Sequence, residues 1–424
     1  MSSPALPPLT GEALRAHVGA SAFLRITSAL DSEIPNVVAP PTRDGGNYPV
    51  TIRLNADGNA VNTTIVNGQA AQLNCMEELV NDARRYGTAP LLARLPGLSV
   101  SYENVAGDTV ILYDTEVPNR AVSTHFMVAT LPDTDTLVAS TKEWQDLAVE
   151  GFQQAQAMLK HAPYMALFGG WAATVPGGVK IPSIIRSEIV AELADQSRDT
   201  ENRFRDPALP KGGYRRDPYM ATTGDAASSE ALADQLDIEL DAALGRERKP
   251  KDPKDQKETV KKNGKTKSRG ISRIGLGNIG IENGDRACGI GVRSITRTTS
   301  LSLALLRRIR LAAPHTEADN TTVRVALAAL GLYLDRLAAE KMWLRAGCNL
   351  TERLESVTLV VDESTQYAVP SVAEAEALIA ELLPPAAELL GWNGQIVETV
   401  GNLKVQEAAK AAAKSVAGSD EEGS

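Results

Sequence analysis

The chain has 424 residues, of which 43% are hydrophobic and only 4% aromatic, and its formal net charge at pH 7 is −9. That hydrophobic content excludes a wholly disordered scaffold and predicts a core built from Ala, Leu, Val and Ile. No run of about 18 apolar residues occurs, so no membrane span is expected. The N-terminus does not resemble a signal peptide. The cysteines show no metal-ligand spacing, which favours a reduced cytoplasmic setting for Cys75, Cys288 and Cys348.

Apolar periodicity and turn residues divide the first half of the chain into short elements. They predict a tail of residues 1–20 with a short helix from Gly11, a strand around Phe23–Ile26, a loop at Asn36–Gly46, strands at Tyr48–Leu54 and Asn62–Val66, a turn at Asn67-Gly68 and a helix from Gln69. They also predict a hairpin of Leu98–Val105 and Thr109–Leu112, a helix at Lys142–His161, a strand at Met165–Phe168 and a loop at Gly169–Ile181. Ser183–Leu193 fits the helical and the strand period equally imperfectly, so its type stays open.

The second half begins with charged sequence and ends with regular elements. Residues 195–245 form a charged insertion with helical spacing at Ala227–Leu244, residues 246–269 a flexible Lys-rich arm, and Gly270–Gly291 a Gly-rich stretch. Helices are then predicted at Leu301–Leu311 and Thr321–Leu344, a strand at Val357–Val361, a helix at Val372–Leu383 ended by Pro384-Pro385, and an Ala/Lys helix with an acidic tail at residues 405–424. This mixture of short strands and helices predicts an α+β fold.

Positive charge is concentrated in one part of an acidic chain. Residues 246–269 hold eleven Lys or Arg and four Asp or Glu, a net charge of +7, which leaves −16 on the remainder. Such a run is either a solvated linker or a mobile clamp on phosphates. The basic trend continues into the Gly-rich chain, where backbone N–H groups can approach phosphates and arginines can bind them with two hydrogen bonds. The clamp interpretation is therefore favoured.

Two further segments suit a polyanion better than a small molecule. His161–Ala191 is broken by glycines and carries a basic tip, and Thr298–Arg310 is Leu-rich and ends in arginines. For Arg307, Arg308 and Arg310, favourable interaction with a helix dipole explains the charge equally well.

No motif for catalysis, metal or cofactor binding is convincing. Gly275, Gly277 and Gly280 satisfy GxGxxG, but β-prone sequence follows where a dinucleotide site needs a helix. The chain lacks GxxxxGK[ST] and GxSxG, and its four histidines are isolated. We therefore expect a binding protein rather than an enzyme, with no cofactor, no metal and no catalytic residues.

Five sequence blocks resemble one known family. They are VNGQAAQLNCMEELV, ALFGGWAATVPGGVKIPSIIRSEIVA, IGLGNIG, TTSLSLALLRRIR and VRVALAALGLYLDRLAAEKMWLRAGCNL. In this order, between Val61 and Leu350, they resemble the CRISPR-associated RAMP backbone subunit of type I-U (also called I-G) effector complexes, which are Cascade-type. The chain departs from that pattern at Cys75, where the family has arginine, and at Gly280 and Ile281, which replace two prolines.

The resemblance implies an RRM-like (ferredoxin-like) antiparallel-sheet palm over residues 21–404, with large insertions that include a flexible basic thumb or finger. It implies several copies stacked along a CRISPR RNA in the cytoplasm as part of antiviral defence. The expected partners are CRISPR RNA, target DNA through the guide duplex, other copies of the chain and other effector subunits, without a membrane. Guide bases must stay free to pair, and the low aromatic content favours phosphate tracking.

The candidate RNA-binding residues are polar or basic and lie mostly in the matched blocks. They are Gln72, Asn74, Lys180, Arg186, Lys261, Lys262, Lys265, Lys267, Arg269, Arg273, Asn278, Arg293, Arg297, Arg307 and Arg308. Two alternatives stay open at this point. One is an RNA-processing endoribonuclease of the same superfamily, and the other is a nucleotide-dependent small-molecule enzyme that uses the Gly-rich loop.

Overall fold

A computed structural model describes residues 6–41, 50–55, 57–103, 108–147, 152–172, 179–194, 289–342, 344 and 348–402. Contacts divide the chain into a larger unit of residues 1–38, 52–194 and 291–424 and a second unit of residues 39–51 and 195–290. The larger unit carries the hydrophobic core. The Lys-rich arm, the helix predicted at Ala227–Leu244 and the C-terminal tail lie outside the described residues.

The described chain contains both helices and strands. The helices are α1 Gly11–Ala20, α2 Gln69–Tyr86, α3 Pro90–Ala93, α4 Thr124–Met127, α5 Lys142–Leu147, α6 Phe152–His161, α7 Tyr164–Phe168, α8 Leu303–Leu306, α9 Glu317–Glu340 and α10 Val372–Leu390. The strands are β1 Phe23–Ser32, β2 Val37–Val38, β3 Val50–Leu54, β4 Ala60–Asn67, β5 Gly97–Glu103, β6 Thr109–Tyr113, β7 Gly170–Ala172, β8 Val179–Ile181, β9 Ile185–Leu193, β10 Ile290–Ser302, β11 Leu350–Glu352, β12 Thr358–Val361, β13 Thr365–Tyr367 and β14 Ile396–Val400.

The large sheet has the order β13-β12-β1-β10-β9-β4-β3, with β11 paired to β1 and β2 paired to β10. Its central pairs, β12 with β1, β1 with β10 and β10 with β9, are all antiparallel. A smaller sheet has the order β14-β5-β6, and β7 and β8 form a two-stranded hairpin. The prediction of an α+β fold is therefore confirmed, with antiparallel pairing through the centre of the large sheet.

The core lies on one face of the large sheet, where α9 is its main helical element. In β1, Leu24 and Ile26 are buried while Arg25 between them is exposed, because successive strand side chains point to opposite faces. Helix α9 begins at a capping box, in which the side chains of Thr316 and Asp319 each accept a hydrogen bond from the other residue's backbone N–H. This box explains why α9 begins four residues before the predicted start.

Several predicted elements differ from the structure in type or extent. Met165–Phe168 belongs to the helix α7 rather than to a strand, because a short run that is buried throughout carries no periodicity to separate the two. The predicted loop at Gly169–Ile181 contains the strands β7 and β8. The predicted helix at Leu301–Leu311 is reduced to the four-residue α8, because alternating burial of Thr299, Leu301 and Leu303 carries β10 on to Ser302.

The helix α10 continues past the two prolines that were expected to end it. Pro384 and Pro385 are exposed, while Leu382, Leu383 and Ala386 around them are buried. A proline inside a helix removes a backbone hydrogen bond and costs about 3 kcal/mol. Burial of the apolar stripe on both sides of the prolines offsets that cost, since each fully buried Leu side chain contributes about 1.5–3 kcal/mol.

Candidate nucleic-acid interface

A cleft of about 1300 Å³ opens where β9 begins and β10 ends. Its walls come from α6, α7, the β7–β8 hairpin and the chain that follows α8. The two wall segments are joined at their base, because the backbone N–H of Ser302 donates to the carbonyl of Ile184 at 2.9 Å. The sheet therefore brings together His161–Ala191 and Thr298–Arg310, the segments that suggested a polyanion surface in the sequence.

The cleft is cationic. Among the described residues that line it, four carry a positive charge and none carries a carboxylate. The four are Lys180, Arg307, Arg308 and Arg310. Apolar side chains such as Leu305 and Ile309 lie between them. Several cations with apolar side chains between them suit an extended anion better than a neutral ligand.

The three arginines after α8 have different environments. Arg307 is half-buried, and its Nη1 donates to the carbonyls of Val18 at 3.0 Å and Ser21 at 2.6 Å, where α1 ends. It therefore fixes the cleft wall to α1 and keeps only part of its guanidinium available. Arg308 and Arg310 are exposed, and no described carboxylate forms an ion pair with either. These two side chains are free to bind an anion.

The positive charge of Arg310 acts on the nearby carboxyl of Glu317. The pKa of the Glu317 carboxyl lies below its ordinary value, chiefly because Arg324 donates a hydrogen bond to it at 2.5 Å. Asn320 and the charge of Arg310 lower that pKa further. Glu317 is therefore engaged with Arg324, and Arg310 keeps its own capacity to bind an anion.

The β7–β8 hairpin also lines the cleft and is anchored at its base. Gly169 has φ +77° and ψ −171°, a conformation open to glycine alone, and its carbonyl accepts a 2.9 Å hydrogen bond from Nη1 of Arg120. Arg120 in turn pairs with Glu77 on α2 at 2.5 Å. Burial raises the pKa of the Glu77 carboxyl, and the Arg120 charge opposes that rise. The hairpin is thus fixed to the body of the unit through named polar contacts.

Trp171 and Lys180 lie directly opposite each other in this hairpin. They are paired residues in the β7–β8 register, and the Lys180 ammonium is 5.5 Å from the centroid of the Trp171 ring. This is a cation–π contact. Both residues line the cleft. Trp171 was not among the predicted site residues, although its position between a glycine pair and the basic tip was a usable signal.

A row of polar side chains crosses the open face of the large sheet beside the cleft. Arg25 on β1 is opposite Ser300 on β10, which is opposite Arg186 on β9. Both arginines are exposed. The next row holds Thr27, Thr298 and Glu188, the last paired with Arg53 at 2.5 Å. Sequence reasoning singled out Arg186 and missed Arg25, although its alternation with Leu24 and Ile26 was visible.

Two predicted RNA-binding residues are buried, and we correct that expectation. Arg297 is 1% exposed, its Nη2 lies 2.7 Å from the Oδ1 of Asp335, and its Nε donates to the Oε1 of Gln72 at 3.0 Å. Gln72 is 3% exposed, and its Nε2 donates to Asn67 at 2.9 Å. Both side chains are engaged beneath the sheet, so neither is positioned to contact RNA. Arg297 shares the core face of β10 with Ile295 and Leu301.

The remaining predicted residues are dispersed. Asn74 is exposed on α2, and Arg293 is exposed on β10, where its Nη1 lies 3.7 Å from Glu192. Neither lines the cleft. The other seven lie outside the described residues: Lys261, Lys262, Lys265, Lys267, Arg269, Arg273 and Asn278.

Neither a metal cluster nor a membrane-spanning helix is found among the described residues. In the described ranges, no three His, Cys, Asp or Glu side chains come close enough to hold a metal ion. Of the helices that the structure describes, none has the length and apolar character needed to cross a membrane.

Comparison with known proteins gives one family match. Residues 32–196 match the family described as CRISPR-associated protein GSU0053. This range contains the first two of the five sequence blocks, and the other three lie beyond it. No curated protein matches the chain. Among solved structures, the crystal structure of Thermofilum pendens Csc2 aligns over 88% of this chain and 79% of that chain, with 9% identity and a TM-score of 0.29, too low to define a shared fold.

Residues 32–196 are thus similar to a family of CRISPR-associated proteins, in agreement with the resemblance of the ordered sequence blocks.

Proposed function

We propose that the chain is a non-catalytic backbone subunit that binds CRISPR RNA in a type I surveillance complex in the cytoplasm. Several copies stack along the guide RNA, with other effector subunits at their side, and support pairing of the guide with target DNA. The cationic cleft carries the proposal, because it supplies exposed cations without a competing carboxylate among its described lining residues.

The chemistry of the cleft matches a phosphodiester backbone. Arg308 and Arg310 can each donate two parallel hydrogen bonds to phosphate oxygens, and Lys180 on the β7–β8 hairpin adds a point charge to the same cleft. Hydrogen bonds to charged groups contribute about 1.5–3 kcal/mol when the partners are well placed. Contacts of this kind hold a strand without reading its sequence.

The topology supports an RRM-like (ferredoxin-like) palm. The spatial order β12-β1-β10-β9 is antiparallel throughout, with α2 between β1 and β9 in sequence and α9 between β10 and β12. That is the strand order of a βαββαβ unit, in which the last strand lies beside the first. Residues 195–288, between β9 and β10, carry the Lys-rich segment. We propose that this insertion supplies the basic thumb or finger, including Lys261, Lys262, Lys265 and Lys267.

The described histidines do not favour the endoribonuclease alternative, because none of the four lines the cleft. His17 hydrogen-bonds Tyr367 and Ser21, at 2.8 and 3.1 Å, and His125 hydrogen-bonds Tyr102 at 2.7 Å. Neither histidine lines the cleft. Burial lowers the pKa of the His125 imidazole below its ordinary value.

Removing the three exposed cleft cations tests the proposal. In the triple variant K180A/R308A/R310A, we expect the Kd for a labelled 30-nucleotide RNA to rise about 100-fold, since each lost phosphate contact is worth about 1 kcal/mol at an exposed site. Fluorescence anisotropy gives the affinity. The matched control, R15A/R94A/K341A, removes the same charges from exposed positions outside the cleft and should change Kd less than threefold. Equal losses in both variants would contradict the assignment of the cleft.

The same samples separate binding from cleavage. Denaturing gels with and without a divalent metal should show intact RNA after prolonged incubation. Cleavage by the natural chain that disappears in K180A/R308A/R310A would replace the proposal with the endoribonuclease alternative.

RNA affinity should fall steeply with salt. Each neutralised phosphate contributes a slope of about −0.7 to log K against log [salt] for single strands. Relative to the natural chain, K180A/R308A/R310A should therefore show a slope that is shallower by about 2. Anisotropy titrations at four salt concentrations measure both slopes. Identical slopes would mean that the three side chains act on folding or shape rather than on phosphate charge.

A further inference from the structure

Trp171 is an exposed aromatic side chain on a rigid support. It is 47% exposed, while Trp144 and Trp392 are buried. Burying an aromatic ring is strongly favourable, so an indole left half open on the wall of a cleft needs an explanation. Packing against the rest of the chain does not explain the position of this ring, because about half of the side chain is left uncovered.

The position of the ring is fixed from two directions. Its strand begins at Gly170, directly after the anchored Gly169, whose carbonyl accepts the hydrogen bond from Arg120. A Cβ built on Gly169 would lie 2.6 Å from the carbonyl oxygen of Ile181, so β7 and the β8 end are in close backbone contact there. On the hairpin itself, Lys180 is held beside the ring at 5.5 Å. The indole therefore presents an ordered π surface and needs little further ordering to bind a ligand.

The cleft around the ring has the two components that a nucleotide needs. Cations on both walls suit a phosphate, and an open indole suits the flat face of a base. Arg308 and Arg310 are exposed on the segment after α8, which lines the same cleft. A base in a duplex has both faces covered by its neighbours, so only an unpaired or splayed base can stack on a protein ring.

From these observations we infer that Trp171 is a stacking platform for one base of a single-stranded nucleic acid bound in the cleft. The inference rests on the proposed function and adds a base contact to phosphate tracking. It takes the stacked base out of pairing at that one position and leaves the neighbouring bases free. Stacking uses the π face that every base has, so the contact tolerates sequence and favours the larger purines.

Oligomers with and without bases provide the test. The probes are a 12-nucleotide oligo(A) RNA and an abasic strand with the same number of phosphates. W171A should weaken oligo(A) binding roughly fivefold to a hundredfold, the range expected for one stacked base, and should leave abasic binding unchanged within twofold. W171F should retain most of the oligo(A) affinity. The control Y86A removes another exposed aromatic, on α2, and should change neither affinity.

The inference is overturned if W171A weakens both strands equally or weakens neither. It fails alone, with the proposed function intact, if K180A/R308A/R310A weakens both strands while W171A has no effect. The proposed function fails if the natural chain binds neither strand, or if the triple variant binds both as tightly as the natural chain. Thermal unfolding of W171A within 2–3 °C of the natural chain, roughly the shift of an exposed substitution, excludes misfolding as the cause.

Tryptophan fluorescence provides a second readout of the same contact. Oligo(A) should quench the natural chain more than W171F, and the abasic strand should quench both equally. Equal quenching of the natural chain and W171F by oligo(A) would place the base elsewhere and overturn the inference.

Discussion

Replacing Arg297 with Met should lower the free energy of unfolding by about 3–5 kcal/mol, the usual effect of removing one partner of a buried ion pair. The reason is that Asp335 is fully buried and would lose the guanidinium now 2.7 Å away, which leaves a buried polar group without its partner. Arg336, whose Nη1 is 3.7 Å from Asp335, also pairs with Glu352 and replaces Arg297 poorly. Urea unfolding followed by circular dichroism measures the change. R293M, an exposed substitution on the same strand, should change stability by only about 0.5 kcal/mol.

The double variant R297M/D335L separates a structural role from RNA contact. Removing both charges and filling the site with apolar side chains should restore stability, since such replacements are often neutral or stabilising by about 1–4 kcal/mol. If Arg297 acts only in the core, the refolded double variant should bind RNA with the affinity of the natural chain. A folded double variant that has lost RNA binding would show that Arg297 reaches the ligand, against its 1% exposure.

Arg297 also shows where sequence reasoning about the site reached its limit. Its place among other basic residues suggested a surface position, whereas its alternation with Ile295 and Leu301 indicated the core face of β10. The choice between a surface position and a core position depends on whether a buried partner for the guanidinium exists. That partner, Asp335, lies on α9, a different element, and no local pattern connects the two residues. Charge patterns reveal which residues can bind an anion, but burial depends on long-range packing.

The sequence identified the two segments that form the cleft, but it did not show that they lie next to each other. Both wall segments, His161–Ala191 and Thr298–Arg310, were recognisable from glycine, lysine and arginine placement. Their proximity depends on the pairing of β9 with β10 across an insertion of about a hundred residues. The sequence of Ser183–Leu193 fits a helix as well as a strand. The pairing of β9 with β10 could therefore not be derived from the sequence. The hairpin around Trp171 was expected to be a loop, and its aromatic side chain was therefore overlooked.

Elements with one clearly buried face were predicted well, and elements buried all round were not. Helix α2 and the β5–β6 hairpin follow from visible periods and from turn or glycine signals at their ends. Helix α7 has five consecutive buried residues, so its sequence has no polar face to define a period. Helix α10 contains two consecutive prolines, which usually end a helix. Burial of the apolar side chains around them keeps the chain helical.

Gly169 should be the most sensitive glycine near the cleft. In G169A, the new methyl group would lie 2.6 Å from the carbonyl oxygen of Ile181 and 2.9 Å from the backbone nitrogen of Ser183. Both are backbone atoms that cannot rotate away, and φ +77° with ψ −171° is open to glycine alone. We expect the free energy of unfolding to fall by about 3 kcal/mol or more, since the strained conformation alone costs about 1–3 kcal/mol. Urea unfolding gives the value.

The RNA affinity of G169A distinguishes a local effect from a general loss of stability. If the hairpin shifts to relieve the contact, Trp171 and Lys180 move with it, and Kd for RNA should rise about tenfold, equivalent to ~1.4 kcal/mol. Gly87 provides the matched control, because it has φ +68° at the end of α2 but nothing within 4 Å of the position that a new methyl group would take. G87A should lose about 1–2 kcal/mol of stability, the cost of a left-handed L-residue, and keep its RNA affinity. Equal stability losses in the two variants would mean that the backbone at Gly169 relaxes freely, and the hairpin could not then be the rigid wall on which the cleft depends.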